Sequence, residues 1–245
     1  MRILTSMLVT TFALAAQEPE RRPHFEVRLA FGGGQWEHRT DGSGLDDRTD
    51  AGFLRLDLEA TTKSGFGGGL RFEGIESDDD LFADTGFAAS EAQMSDIFLH
   101  FTYRATAERF EMPVRIGILL EGYRLRENVT DNDATYGSIG PYLEIAPEFA
   151  LIARRRLGWS LYGEVGVGAA ATGIDIDGDS NDYVSSTIMW GAEVGTRFRA
   201  GPAEIGVAFV GRWRSMDESD EENGFVVLGH DASFRGLVVS GGVVF

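Results

Sequence analysis

Alternation of apolar and polar residues from Phe25 to the end of the chain constrains the fold more than any other feature of the sequence. In the first run, Phe25, Val27, Leu29 and Phe31 alternate with charged or small residues. Successive side chains of a β-strand point to opposite faces, so a period of two predicts strands. No segment has a convincing helical period. The ten runs are 25–32, 54–60, 66–73, 96–104, 114–121, 139–146, 159–167, 188–199, 205–214 and 237–245.

The segments between these runs alternate between long and short. Strands that are joined in sequence reverse direction, so the long segments gather at one end of the sheet and the short ones at the other. This arrangement, with an even number of strands, is typical of an outer-membrane barrel. The long segments are 41–50, 77–93, 128–135, 173–185 and 216–233, and the short ones are 62–64, 105–111, 153–158 and 200–202.

Two folds share this periodicity. In a soluble β-sandwich or lipocalin-like barrel the apolar face points inward, whereas in a membrane barrel it faces lipid and the charged face lines the interior. Aromatic residues near the short segments favour the membrane barrel, because they form an interfacial girdle on the apolar face. Trp190 and Trp213 are candidates for the opposite girdle. The first girdle comprises Phe25, Phe66, Tyr103, Trp159, Phe198 and Phe245.

The last ten residues also favour the membrane barrel. They alternate and end in phenylalanine, and they resemble the C-terminal assembly signal of bacterial outer-membrane proteins. The resemblance implies recognition by the barrel-assembly machinery through Leu237, Val239, Val243 and Phe245. We therefore predict an all-β fold, a transmembrane antiparallel up-and-down β-barrel of ten strands. Eight strands, with two runs merged or displaced, are the alternative.

The N-terminus predicts export. A basic start, Met1-Arg2, precedes an apolar run over Ile3–Ala16 that is too short for a transmembrane helix. A disordered or weakly helical N-terminus is the alternative interpretation. We predict a signal peptide over 1–16, a periplasmic tail over 17–24 and one barrel domain over 25–245. This places the protein in the outer membrane of a Gram-negative-type bacterium, with both termini in the periplasm and with lipid and lipopolysaccharide as its surroundings.

Family resemblance extends over 25–245 at the level of small bacterial outer-membrane β-barrels. Two segments, Gly140–Glu144 and Leu157–Gly163, also resemble the Legionella-type major outer-membrane protein family. Members of that family are regarded as pore-forming. The narrower match covers about two strands and implies a pore for small ions or solutes.

The polar face predicts a charged lumen. Glutamates on three consecutive strands face inward at similar heights, and arginines are their candidate partners. Pairing would plug the barrel with salt bridges, whereas a hydrated lumen would form a cation-favouring constriction. Ten strands enclose only a narrow interior, which favours a closed or very narrow lumen. The predicted lumen residues are Glu73, Glu121, Glu144, Glu164, Glu193, Arg71 and His100, with Arg55 and Arg212 as further partners.

A rim site at the long-loop end is the alternative that would make the protein an enzyme. Barrel closure pairs the first strand with the last, which brings His38, His230 and Asp231 to the same stretch of rim. Such acid–histidine pairs resemble the omptin proteases, which are ten-stranded barrels, and imply an outer-membrane hydrolase. The paired aspartates and the Asp-x-His dyad of the omptins are not evident in this chain.

The acidic balance of the chain limits its ligands. The chain has 22 basic and 39 acidic residues, a net charge of −17, and no cysteine. The negative charge excludes nucleic acid as a partner, and the lack of cysteine excludes thiolate chemistry. Asp175, Asp177 and Asp179 alternate like calcium ligands, but the EF-hand glycine and glutamate are missing, so the sequence predicts at most weak Ca²⁺ or Mg²⁺ binding and no cofactor.

These features lead to three functional hypotheses. The main one is a non-enzymatic outer-membrane barrel that is structural or forms a narrow, weakly cation-selective pore. The second is a hydrolase acting through the rim site. The third is an adhesin or ligand-binding barrel acting through its acidic loops, of which 217–222 is one.

Overall fold

The computed structural model of the protein describes residues 23–42, 46–78, 80–82, 90–127, 133–154, 157–177 and 181–245. The predicted signal peptide lies outside these residues. None of the described residues belongs to a helix that is long and apolar enough to cross a membrane. The strands are β1 (His24–Thr40), β2 (Asp46–Thr61), β3 (Phe66–Ser77), β4 (Ser90–Ala107), β5 (Phe110–Glu127), β6 (Asp133–Ile145), β7 (Glu148–Arg154), β8 (Leu157–Ile176), β9 (Tyr183–Ala200), β10 (Ala203–Met216) and β11 (His230–Val244).

The strands form one closed antiparallel sheet. β1 pairs with both β2 and β11, and β4 pairs with β5, so the ring has no open side. β6 and β7 follow each other along the same two neighbours, β5 and β8, and are interrupted only at Ala146 and Pro147. Together they form one wall segment, which makes a barrel of ten strands. The prediction of ten strands is confirmed, and the eight-stranded alternative is wrong.

The first and last strands close the barrel. The Phe25 amide donates to the Phe245 carbonyl at 3.1 Å, and the Phe245 amide donates to the Phe25 carbonyl at 2.9 Å. Their rings stack with centroids 6.5 Å apart. The start of β1 and the end of β11 therefore lie at the end of the barrel that carries the short turns, called the short-turn end below. The opposite end is the long-loop end.

The strands extend further toward the long-loop end than the sequence runs predict. Residues that we assigned to long loops belong to paired strands, for example Asp46–Asp50 in β2, Tyr183–Ser185 in β9 and His230–Ser233 in β11. These stretches are rich in polar residues, a composition typical of loops. Most of their charged side chains, such as Asp46, Asp50 and Asp231, lie on the outside of a regular sheet, whereas His230 points inward. The predicted position of His24 is also corrected: this residue begins β1 and does not lie in the tail.

The outer surface is apolar between two aromatic girdles, and this part is called the apolar band. On β9 the band runs from Phe198 to Trp190, a separation of 198 − 190 = 8 residues, with the exposed Val194 halfway. The inward-facing residues of β9 at these levels include the charged Glu193 and Arg197. This is the polarity of a barrel in lipid and the reverse of a soluble barrel. The girdle pairs are Phe66–Tyr103 at 4.8 Å, Trp159–Phe198 at 5.6 Å and, on the far side, Trp190–Trp213 at 3.7 Å between ring centroids.

Toward the long-loop end the polarity reverses. On β1, the outward residues of the band include Leu29 and Phe31, but Gln35 and Arg39 are the exposed residues beyond the band. Trp36 on the same stretch points inward and is fully buried. The part of the barrel at the long-loop end therefore has the polarity of a soluble protein, with a polar outside and an apolar inside.

The reversal predicts that substitution of an outward-facing residue by arginine destabilises the barrel at the height of the apolar band but not beyond it. Val194→Arg places a charge at the middle of the apolar band, and we expect a loss of ~2–4 kcal/mol in unfolding free energy. Ser215→Arg places the same side chain on the exposed outer face beyond the band and should change stability by less than ~0.5 kcal/mol. Urea unfolding of both variants in lipid vesicles measures the difference. Equal losses would contradict the reversal of polarity.

Candidate functional site

Three glutamates share one height inside the barrel. Glu164 on β8 is directly opposite Glu193 on β9, and Glu144 on β6 pairs in register with Gly166, two residues from Glu164. All three side chains point inward because they alternate with the lipid-facing residues of their strands. Like charges at this spacing repel one another and are tolerated in a buried position only when cations compensate them.

Arg71 supplies most of that compensation. Its Nη1 donates to Glu144 Oε2 at 2.6 Å and to Glu164 Oε1 at 3.0 Å, and its Nε donates to Asp57 Oδ1 at 2.6 Å. Arg71 lies on β3, so these bonds cross the lumen to β6 and β8. One guanidinium thereby joins two of the three glutamates to the opposite wall of the barrel.

Two further arginines complete the layer. Arg55 Nη1 donates to Glu193 Oε2 at 2.6 Å. Arg212 holds Glu73 in a bidentate pair, with Nε–Oε1 at 2.6 Å and Nη2–Oε2 at 2.9 Å. The structure thus brings together three arginines with four of the glutamates that the sequence placed in the lumen: Arg55, Arg71 and Arg212 with Glu73, Glu144, Glu164 and Glu193. We call these residues the central ionic layer.

A second set of ion pairs continues toward the short-turn end. Arg115 links the two sets, since its Nη1 also donates to Glu144 Oε1 at 2.5 Å. Arg197 lies over the ring of Tyr162, 3.6 Å from its centroid. The pairs of this second set are Arg115–Glu59 at 2.6 Å, Arg104–Glu59 at 2.5 Å, Arg28–Glu204 at 2.8 Å and Arg197–Glu148 at 2.7 Å.

These pairs leave little free space in the lumen. Cavities next to the ionic residues measure about 30 Å³ beside Arg212 and Asp96 and about 20 Å³ beside Arg28 and Arg104. Each has room for about one or two waters. A larger cavity of about 420 Å³ opens at the short-turn end, and the Arg197–Glu148 pair is part of its lining.

The remaining predicted lumen residues lie at the edge of the central ionic layer. Glu121 accepts from Arg214 Nε at 2.6 Å. His100 is buried, and its Nδ1 is 3.0 Å from Thr102 Oγ1. Glu73 and Glu121 flank Asp96 in register on neighbouring strands.

An apolar plug fills the barrel beyond the central ionic layer. Phe53 and Phe234 stack at 5.6 Å, and Trp36 stacks on Tyr123 at 6.0 Å. We call the buried cluster around these four side chains the aromatic plug. It includes Ile75, Leu81, Phe82, Met94, Tyr136, Ile174, Tyr183 and Met216. The plug and the ionic residues thus follow each other along the interior of the barrel.

His38 and His230 meet inside the aromatic plug. Their ring centroids are 5.1 Å apart. His38 Nδ1 is 2.6 Å from the Tyr123 hydroxyl, and His230 Nε2 contacts the Arg214 guanidinium. Both histidines are almost fully buried, whereas Asp231 lies on the outer face of β11. The structure therefore joins the two histidines of the predicted rim site to each other but not to the aspartate.

The predicted metal and assembly residues lie on the outside of the barrel. Asp175 and Asp177 are exposed, and Asp179 lies outside the described residues. Within the described ranges, no group of three or more His, Asp or Glu side chains is arranged to hold a metal ion. The C-terminal signal residues Leu237, Val239 and Val243 face outward on β11, the strand that closes the barrel against β1, and the exposed Phe245 follows that strand directly.

Sequence reasoning missed the aromatic plug and Arg214. The sequence signal that could have revealed the plug is a change along one strand from odd-numbered to even-numbered apolar residues. On β11, the outward apolar residues Leu237 and Val239 are odd-numbered, whereas the inward Phe234 is even-numbered, and Phe31 and Trp36 differ in the same way on β1. A regular strand with no bulge can carry apolar residues on its outward face in one part and on its inward face in another only if the environment changes along its length.

Comparisons with known proteins show the fold. No protein-family model and no curated protein sequence matches the chain. The outer membrane protease OmpT from Escherichia coli is similar with a TM-score of 0.50 and 10% identity, covering 94% of this chain and 99% of that chain. The attachment invasion locus protein Ail of Yersinia pestis matches with a TM-score of 0.32 and 14% identity, covering 90% of this chain and 99% of that chain.

Identities this low show the fold alone: the chain has the fold of a bacterial outer-membrane β-barrel. The narrower resemblance to the Legionella-type family gains no support from these matches.

Removal of Arg71 should destabilise the barrel strongly. Arg71→Leu leaves Glu144 and Glu164 buried without their main partner, and we expect a loss of ~3–5 kcal/mol in unfolding free energy. The control Arg39→Leu removes an exposed arginine from the outer face of β1 and should cost less than ~0.5 kcal/mol. Urea unfolding in lipid vesicles compares the two. Similar small losses would show that the central ionic layer contributes little to stability.

Proposed function

We propose that this protein is a non-enzymatic barrel of the outer membrane of a Gram-negative-type bacterium, with a lumen that does not conduct ions. Its long-loop end faces outside and both termini face the periplasm. The apolar band and the likeness in fold to outer-membrane barrels support the location. The observation that carries the proposal is the pair of barriers in series, the ionic layer and the aromatic plug.

Each barrier opposes ions for a different physical reason. In the central ionic layer, Arg71 and Arg212 occupy the positions next to the glutamates that a permeating cation would need. In the aromatic plug, Phe53 and Phe234 offer no polar group to replace the water that an ion would lose, and apolar constrictions close pores by excluding water. Opening one barrier leaves the other in place.

The burial of the histidines supports a non-enzymatic role. His38 and His230 hydrogen-bond to Tyr123 and Arg214 and are 2% and 3% exposed. A general base has to reach the substrate proton within hydrogen-bonding distance. The alternative is a narrow, weakly cation-selective pore: the Legionella-type resemblance implies a pore, and hydrated glutamates in the lumen would favour cations. It would require the arginines to leave the glutamates so that Glu164 and its neighbours face the ions.

Single-channel recording in planar bilayers tests the closed lumen. We expect the wild-type protein to give no resolvable current steps in molar KCl. The double variants Arg71→Ser/Arg212→Ser and Phe53→Ala/Phe234→Ala each open one barrier and should remain silent. Their combination opens both barriers but keeps the ion pairs of the second set, Arg28–Glu204 and Arg104–Glu59. We therefore expect it to give small current steps that favour cations, because the glutamates then line the opening.

A heat-dependent shift in electrophoretic mobility verifies that each variant folds into a barrel. Wild-type steps that change on Glu164→Gln would overturn the closed lumen and establish the pore. Proteolytic or lipid-cleaving activity that is lost in His230→Ala, with the mobility shift preserved, would overturn the non-enzymatic proposal.

A further inference from the structure

The loop between β10 and β11 exposes apolar side chains far from the apolar band. Phe225 is 65% exposed, and Val226 and Leu228 are each 43% exposed. The Asp220 amide bonds to Val184 of β9, and Val184 lies 190 − 184 = 6 residues beyond the girdle residue Trp190 on that strand, roughly 20 Å along the strand at ~3.3 Å per residue. Lipid therefore does not cover these side chains. We call residues 217–229 the tip hairpin.

The tip hairpin has a defined conformation. Glu222 and Phe225 exchange two backbone hydrogen bonds of 2.9 Å across a tight turn. The two turn residues, Asn223 and Gly224, have φ angles of 52° and 85°, a left-handed conformation that Asn and Gly adopt most readily. Val227 turns the other way and packs against the aromatic plug. The apolar tip is thus presented outward by a regular turn.

Bonds to β9 hold the tip hairpin against the barrel. The Asp217 amide donates to the Ser186 carbonyl at 3.0 Å, and the Asp220 amide donates to the Val184 carbonyl at 2.9 Å. The Ser186 hydroxyl donates to Asp217 Oδ2 at 2.6 Å. A surface that is already ordered loses less conformational entropy when a partner binds.

The charge around the apolar tip has one sign. Five of its thirteen residues are acidic, and none is lysine, arginine or histidine. Among the described residues, no arginine or lysine forms an ion pair with the acidic side chains of the tip hairpin. These side chains are Asp217, Glu218, Asp220, Glu221 and Glu222.

We propose that the tip hairpin is a docking site for a basic polypeptide segment that carries apolar side chains. Phe225, Val226 and Leu228 would contact the apolar side chains, and the surrounding carboxylates would pair with lysine or arginine. Charge complementarity selects this partner, because an anionic membrane surface or an acidic protein would be repelled by the five carboxylates. Phenylalanine and leucine at the centre supply the desolvated contact, and the charges at the rim accelerate association.

Peptide binding to the intact barrel tests this site. The barrel is placed in nanodiscs of zwitterionic lipid, and the probe is a fluorescein-labelled peptide of alternating lysine and leucine residues. Comparison peptides carry serine in place of leucine or glutamate in place of lysine. Fluorescence anisotropy gives the affinities, and binding to empty nanodiscs is subtracted.

We expect the lysine–leucine peptide to bind more tightly than either comparison peptide. Phe225→Ser/Leu228→Ser should weaken its binding by about tenfold or more. Glu221→Gln/Glu222→Gln should weaken it about threefold and reduce its salt dependence. The control Asp50→Asn/Glu76→Gln removes two exposed charges elsewhere on the long-loop end and should change the affinity by less than about twofold.

Several results would overturn the proposal. One is equal binding of the lysine–leucine and lysine–serine peptides, which would mean that only charge is recognised. Another is an equal loss in the control variant. A third is a change of oligomeric state in Phe225→Ser/Leu228→Ser with peptide affinity unchanged, which would make a second copy of the chain the occupant. The heat-dependent mobility shift verifies folding of every variant.

Discussion

Closure of the sheet is the constraint on which the rest of this structure depends. Lipid offers no hydrogen bonds to the backbone, so a strand that crosses it needs a paired neighbour on both edges. Pairing of β1 with β11 meets that need. In the closed sheet, alternate side chains of each strand form two surfaces, one facing lipid and one facing a narrow interior. Charged residues on the inner surface then find most of their partners across the lumen, chiefly in one another.

Much of this arrangement could be predicted from the sequence, because the face of a residue in a strand depends only on parity. The lipid-facing residues, the girdle and the inward glutamates follow from that rule. The choice of partner does not: Arg71 contacts Glu144 and Glu164, whereas Arg55 contacts Glu193. Contacts across the lumen depend on the tilt and stagger of all ten strands, which no local pattern records.

The aromatic plug was not predicted, because polar residues beyond the apolar band suggested loops. In a paired strand that leaves the membrane, polar residues belong on the outside, and their inward neighbours can be apolar. Trp36 and Phe234 have that position. The face that carries the apolar residues, odd-numbered or even-numbered, therefore has to be determined separately for each part of a strand. The point where the apolar residues change face marks the edge of the lipid.

The ion pairs of the lumen also bear on the order of assembly. Arg55 and Glu193 are 138 residues apart in sequence, and Arg28 and Glu204 are 176 apart. A chain whose first strands have formed a curved sheet still holds those arginines without their carboxylates. At that stage, Arg55 and Arg28 have chiefly the neighbouring Asp57 and Glu26 as partners. Neutralisation of the interior is therefore completed when the last strands arrive, so an incomplete sheet differs from a finished barrel by incompletely paired charge as well as by its open edges.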